Sequence, residues 1–390
     1  MAQIQRMRRK KKQNVEERFF DYTLLFVVLF LVVFGLLMIY STSSYEAKLE
    51  YGNAAFYLKK QILSSVLGLG VMAFVSKMPY QFLKKFDIAA IVVAAILILL
   101  VLTPLGVTRN GATRWIDLKI GLTVQPAEIA KICVIIYSAS KITKLGKKVS
   151  DPVGLMTVIG PPMIIAGMIY VLTDNMSSAI IVAGIAILMV FVATPNYKEY
   201  IILAVVVIAL AGAVILFAAN SDGTAGLGFR LVRIRAWLDP ESYSTDRAFQ
   251  SLQALYAIGS GGIWGKGLGQ SMQKLGFIPE AQNDMIFSII CEELGLFGAI
   301  AVIMLFVILI WRCMVIANNA EDLFGALIVV GVMAHFAIQV VLNIAVVTNT
   351  IPNTGITLPF ISYGGSSALF LLTEVGLVFS VGNGIRLKNM

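Results

Sequence analysis

The sequence predicts an all-α, polytopic integral membrane protein of about ten transmembrane helices, with a large extracytoplasmic loop before the eighth. Three observations carry this. Apolar residues make up 58% of the 390 residues and charged residues only 14%, where a soluble globular chain carries nearer a quarter charged. The apolar residues fall in long blocks, and a helix needs about 20 mostly apolar residues to cross the hydrocarbon core. Alternating barrel-strand patterns are absent, and only helices or closed barrels satisfy their own backbone in lipid.

The first element is a basic segment over residues 1–20, with Arg6, Arg8, Arg9, Lys10, Lys11 and Lys12. Beside a membrane span, such a run reads as a cytoplasmic anchor to anionic lipid rather than a nucleic-acid patch. Residues 21–390 read as a single membrane domain. Spans are expected near 22–42, 60–77, 88–105, 124–142, 154–173, 177–194, 199–219, 285–314, 322–347 and 365–384. Lysine and arginine gather on cytoplasmic loops. With the N-terminus inside, Lys84, Lys85, Lys141, Lys144, Lys147, Lys148, Arg386 and Lys388 all fall inside. An even number of spans puts both ends there. The first span has no small-residue cleavage site behind a short apolar core, so it is read as retained. Cys133, Cys291 and Cys313 fall within spans and imply no disulfide framework.

The long loop covers residues 220–284. It carries Phe229, Trp237, Tyr256, Trp264, Leu275 and Phe277, so short interfacial helices are expected. Arg230 to Leu238 alternates basic and apolar residues, which suits the headgroup layer. The stretch from Gly259 to Gly269 is glycine-rich but lacks the phosphate-loop spacing. It reads as a tight turn where backbones pass closely, or as N–H groups that help hold a ligand phosphate. Asp284 then stands at the mouth of the eighth span, as a helix cap or as a carboxylate placed to take a proton. The helix dipole lowers its pKa, so it is expected ionised at neutral pH.

The last loop before the tenth span, from Asn349 to Ser367, has prolines, glycines and hydroxyls that regular helix does not accommodate. Irregular backbone at membrane depth must line a cavity or be buried in protein. Ser366 and Ser367 open the tenth span, and a helix N-terminus with hydroxyls suits an anion such as a phosphate. Ionisable residues inside spans are costly and usually functional. Glu128 and Lys131 share a face of the fourth span and can pair. Glu292 and Glu293 point to different faces of the eighth, Glu374 lies in the tenth, and the single histidine, His335, is expected in an interhelical hydrogen bond. No metal site is expected.

Four blocks now match a known family: Asn110 to Ile116 with Gln125-Pro126-Ala127-Glu128; Gly261 to Ser271 with Gln273 and Lys274; Pro279-Glu280 with Asp284 and Glu292 to Gly295; and Gly355 to Ser367. On these the chain resembles the SEDS proteins (shape, elongation, division and sporulation), the peptidoglycan glycan polymerases typified by FtsW and RodA. The resemblance runs from the first span to the tenth, and the ending from Asn343 to Pro359 looks most like the FtsW branch. Departures are Ala127 where the family has serine, Asn175 where it often has aspartate, and Gln282-Asn283 before Asp284 where it commonly has histidine and threonine, so the acid is kept and the histidine is not.

The resemblance implies a glycosyltransferase that polymerises lipid II at the outer face of the cytoplasmic membrane, for septal wall synthesis. The alternatives are an elongation or sporulation polymerase of the same family, or a lipid II flippase. It implies Asp284 as the base, and Arg114, Arg230, Lys274, Glu280, Ser366 and Ser367 as substrate-binding residues. Glu128 and Lys131 fall to structure or cavity. No cofactor is certain, although a divalent cation, magnesium or manganese, can sit on the substrate diphosphate. Implied partners are a class B penicillin-binding protein and small divisome membrane proteins, with no nucleic acid.

Overall fold

The structure, a computed structural model, describes residues 19–109, 111–117, 123–195, 197–220, 229–240 and 248–385. In chain order its helices are α1 (Tyr22–Tyr51), α2 (Phe56–Val75), α3 (Asp87–Leu100), α4 (Pro126–Leu145), α5 (Pro152–Thr173), α6 (Met176–Ala193), α7 (Tyr197–Asn220), α8 (Phe229–Leu238), α9 (Phe249–Gly261), α10 (Ile286–Asn318), α11 (Leu323–Val347) and α12 (Ser367–Gly382). A helix stands at each expected span. Seven of these, α1, α2, α5, α6, α7, α10 and α11, are long and apolar enough to cross a bilayer. The protein is a multi-pass membrane protein. The basic N-terminal run, Arg386 and Lys388 lie outside the described residues.

Local chemistry sets the helix ends. Asp21 accepts the Leu24 N–H, Asn175 the Ser178 N–H and Asp322 the Gly325 N–H, each satisfying a donor the first turn leaves over. Two ends differ from expectation. Helix α1 continues past residue 42 to Tyr51 and stops at Gly52 in the left-handed region. Helix α3 stops at Leu100, because Pro104 disfavours helix at the residue before it. The chain then forms a small antiparallel sheet, β1 (Gly106–Arg109), β2 (Ala112–Asp117) and β3 (Thr123–Val124). Val107 pairs with Trp115 and Ile116 with Val124. These threonines and valines favour strand, an alternation too short to stand out in an apolar sequence.

Helix α11 forms the centre and packs on α4, α6, α10 and α12. Helix α12 lies against α2, and α3 against α4. Helix α7 buries almost none of its surface, and its main contact among the described residues is α8. The apolar stripes left outside, such as Phe26, Phe30, Val33 and Leu37 on α1, are the faces a helix turns to lipid. The long connections meet at one end of the bundle, the loop end. There Arg114 reaches the α5–α6 turn, Ser177 donates to Thr354 O, and Trp237 Nε1 donates to Asn349 O at 2.8 Å.

Candidate active site

At 1.5 Å per residue, the 33 residues of α10 would span about 50 Å, against a hydrocarbon core of about 30 Å. Gly295, at φ 67 and ψ −165, breaks the helix. Every side chain from Ile286 to Glu293 is buried, whereas Leu296, Phe297, Ile300 and Met304 beyond it are exposed. The first part is therefore a helix enclosed by protein, and the lipid-facing span begins at Gly295. The sequence had placed its start at 285.

The break leaves backbone groups open, and the glycine-rich loop fills them. Lys266 N donates to Glu292 O and Gly267 N to Glu293 O, both at 2.9 Å, while Leu296 N donates to Gly262 O at 3.0 Å. Side chains repeat the pattern. The Glu292 carboxylate accepts from Lys266 Nζ at 2.7 Å, from Met272 N at 3.2 Å and from Ser271 Oγ. Glu293 accepts from Ser41 Oγ at 2.7 Å and Lys274 Nζ at 2.9 Å. These loop N–H groups bind α10 and are not a phosphate cradle; the loop is a clasp. A Cβ on Gly265 would stand 2.2 Å from Glu293 O, and one on Gly295 2.4 Å from Ile263 O. Gly295→Val should cost at least about 3 kcal/mol from strain and overpacking, read as a lower midpoint of thermal unfolding in detergent. An unchanged midpoint would show that the clasp contributes no stability.

The clasp grips α10 at Glu292 to Leu296, and just before that helix Asp284 lies half-buried. Gln250 of α9 donates to Asp284 Oδ1 at 3.4 Å and to Pro279 O at 3.1 Å. Asn343 Nδ2 of α11 donates to Asp284 O at 2.8 Å and to Ile356 O at 2.6 Å, so one amide joins the aspartate to the last loop. Asn353 Nδ2 donates to Gln250 Oε1 at 2.9 Å, and Tyr363 N to Gln282 O at 2.8 Å. Asp174, Glu280, Asn349 and Phe360, the non-glycine residues with positive φ among those described, all lie in these connections. Burial pushes the Asp284 carboxyl up to about 7, the Glu280 charge adds to this, and the bond from Gln250 opposes it. The sequence expectation of a depressed pKa is thereby corrected, because enclosing protein strips water from the carboxylate by more than the helix dipole returns.

A second group of charges lies inside the bundle. Lys131 Nζ is 2.8 Å from Glu128 Oε1 and 3.4 Å from Gln339 Oε1. His335 Nε2 stands 2.7 Å from Gln339 Oε1, and its Nδ1 2.7 Å from Glu374 Oε2, the interhelical bond expected of it. Gln339 Nε2 donates to Thr357 O at 3.0 Å, and Ser367 Oγ to Glu128 Oε2 at 3.2 Å. This network runs from α12 through α4 and α11 to the last loop.

The other expected site residues are distributed unequally. Glu280 lies beside Asp284, and its carboxylate takes the Asn283 Nδ2 bond at 2.8 Å. Arg114 Nη2 donates to Asp174 O at 2.7 Å and Nε to Thr173 O at 3.4 Å. Lys274 is buried and turned to Glu293 and Ser41, so its charge already has a partner. Ser366 stands at the cap of α12 without a capping bond. The side chain of Arg230 lies outside the described residues. Gln250, Gln339, Asn343 and Asn353 are uncharged amides, which do not stand out in sequence as acids and bases do. Gln339 and Asn343, amides four apart in an apolar helix, were the signal.

The family model for the FtsW, RodA and SpoVE proteins, described as "Cell cycle protein", matches residues 22–386. The chain is 37% identical over 370 residues to a probable peptidoglycan glycosyltransferase FtsW of Trichlorobacter lovleyi, covering 94% of each. It is 36% identical to stage V sporulation protein E of Bacillus subtilis, covering 93% of this chain and 96% of that one. In fold it resembles a chain of a peptidoglycan synthase complex, with a TM-score of 0.76 at 23% identity over 93% of this chain and 97% of that one. It also resembles RodA of Thermus thermophilus, with a TM-score of 0.66 at 23% identity over 95% and 98%. Sequence, fold and the conjunction of clasp, aspartate and last loop agree: the chain belongs to the FtsW, RodA and SpoVE family of membrane proteins.

Proposed function

We propose that this chain is a peptidoglycan glycosyltransferase that polymerises lipid II into glycan strands, with Asp284 as its base. The observation that carries the chemistry is Asp284 at the loop end: Asn343 holds its backbone carbonyl, Gln250 meets its carboxylate, and burial pushes that carboxyl to about 7. A general base works best when its pKa lies near the operating pH. Asp284 takes the proton from the acceptor sugar's 4-hydroxyl, and that oxygen attacks the anomeric carbon of the lipid-linked chain. The bond from that carbon to the diphosphate breaks, the lipid diphosphate leaves with the electron pair, and an α linkage becomes β. The leaving charge needs positive or donor groups, which Arg114, Arg230, Lys274, Ser366 and Ser367 supply in this reading, with Lys274 released from Glu293. Glu280 assists by raising the Asp284 pKa. Among the described residues no cluster of three or more histidine, cysteine or acidic side chains could hold a metal ion. A magnesium or manganese ion is assigned to the substrate diphosphate by the family resemblance alone, and no step is routed through it.

The names of the relatives support the substrate class, and a class B penicillin-binding protein is the partner for crosslinking. Divisome proteins and a septal location go with the FtsW branch. The loop end faces outward and both termini inward. A topology reporter inserted after Asn283 that reads cytoplasmic would overturn this orientation and the mechanism together.

The pH dependence has a definite sign. Only unprotonated Asp284 accepts a proton, so polymerisation by purified protein from labelled lipid II rises with pH through about 7. Stability moves the other way. A carboxyl whose pKa is higher folded than unfolded binds more protons in the folded state, so stability falls as pH rises from about 4 to 7. A rate profile flat across neutrality would sink the base assignment.

A further inference from the structure

Helix α1 has 30 residues, about 45 Å at 1.5 Å each, so its last turns stand clear of a core of about 30 Å. They carry Glu46, Glu50 and Tyr51, and the left-handed turn at Gly52 brings Phe56 and Tyr57 of α2 back beside them. The Tyr51 and Phe56 rings stack at 3.9 Å, and Tyr57 meets Tyr363 of the last loop edge-on at 5.0 Å. Tyr363 N donates to Gln282 O at 2.8 Å, two residues before Asp284. The Gln282 side chain, 1% exposed, lies beside Glu46, and its own oxygen meets no donor among the described residues. The Glu280 charge acts on both Glu46 and Asp284. Rings and carboxylates thus form one surface running up to the proposed base. Tyr51 is 50% exposed, Glu50 is exposed, and Tyr57, Tyr363 and Glu46 are half-buried.

We propose that Tyr51, Tyr57, Tyr363, Glu46 and Glu50 form a platform for the sugar rings of the glycan acceptor. This rests on the glycosyltransferase reading and names a subsite of it. A pyranose ring has an apolar face of C–H bonds and a rim of O–H and N–H donors. The negative face of an aromatic ring attracts C–H edges, and carboxylates accept from the rim. Lys60 Nζ stands 4.3 Å over the Phe56 ring beside these carboxylates, so the surface offers rings and a balanced polar rim that suit an uncharged sugar. A plain aromatic anchor for lipid headgroups would not pair Tyr57 with the loop that adjoins Asp284.

The test uses full-length protein in detergent, with the β-1,4-linked tetramer of N-acetylglucosamine as probe and intrinsic fluorescence as readout. Wild type is expected to bind it, Tyr51→Ala about tenfold more weakly, and Tyr51→Trp as wild type. Glu50→Gln, a surface change that leaves the fold intact, should weaken binding several-fold. In polymerisation assays the alanine variant should raise the KM for lipid II more than it lowers kcat. Failure of wild type to bind, or equal binding by wild type, Tyr51→Ala and Glu50→Gln, overturns the platform. Binding by wild type that makes no polymer, alone or with a partner synthase, overturns the glycosyltransferase reading and leaves the platform standing.

Discussion

Replacing Asp284 with asparagine is expected to lower glycan polymerisation by about 10²–10⁴-fold, the usual contribution of a positioned general base. The change keeps the shape and the acceptor atom for Gln250, so the contacts with α9 and α11 survive. Two signatures should accompany the loss. The residual rate should no longer rise through neutral pH, because the group that titrates near 7 is gone. The variant should also lose the fall in stability between about pH 4 and 7, since asparagine carries no proton linkage. Glycan polymer made by Asp284→Ala at the wild-type rate would remove Asp284 from the mechanism. Loss of activity with an unchanged pH profile in the residue would assign the titration to another group.

Lys131→Met should be among the most destabilising single substitutions. Lys131 is 1% exposed and its partner carboxylate 8%, so the methionine leaves the Glu128 carboxyl enclosed without its ammonium partner, with Ser367 as its remaining donor among the described residues. Removing one partner of a buried pair costs about 3–5 kcal/mol. The Glu128→Gln, Lys131→Met double variant should recover much of that, because no uncompensated charge remains. The measurement is a double-mutant cycle on thermal unfolding in detergent. Additive single and double effects would show that the two residues are not coupled, which would contradict the 2.8 Å contact. The network beyond the pair predicts where damage spreads: Gln339 joins Lys131 to Thr357 O, so the last loop should loosen before the bundle does. This is a mount for loops, with a chain of charges serving as its internal brace.

The amino-acid sequence by itself determined the membrane class and where the long apolar helices lie, because hydrophobic block length is a local property that lipid reads directly. It also brought out Asp284, the Glu128–Lys131 pair and the family, since acids, bases and repeated glycines stand out against an apolar background. Fold and family were thus legible before any coordinates. Other features were decided only in three dimensions. The eighth span divides at Gly295, because a loop some thirty residues earlier supplies the backbone bonds that a broken helix needs. For the same reason the glycine-rich stretch became a clasp: its N–H groups had partners that no spacing rule could reveal. The Asp284 pKa rises where helix-end reasoning lowers it, since desolvation depends on neighbours contributed by α9, α11 and the last loop. Amides such as Gln250 and Asn343 gained their roles in the same way. A residue's type states which bonds it can make, and the tertiary structure alone states which atoms are within reach and how much water is left around them.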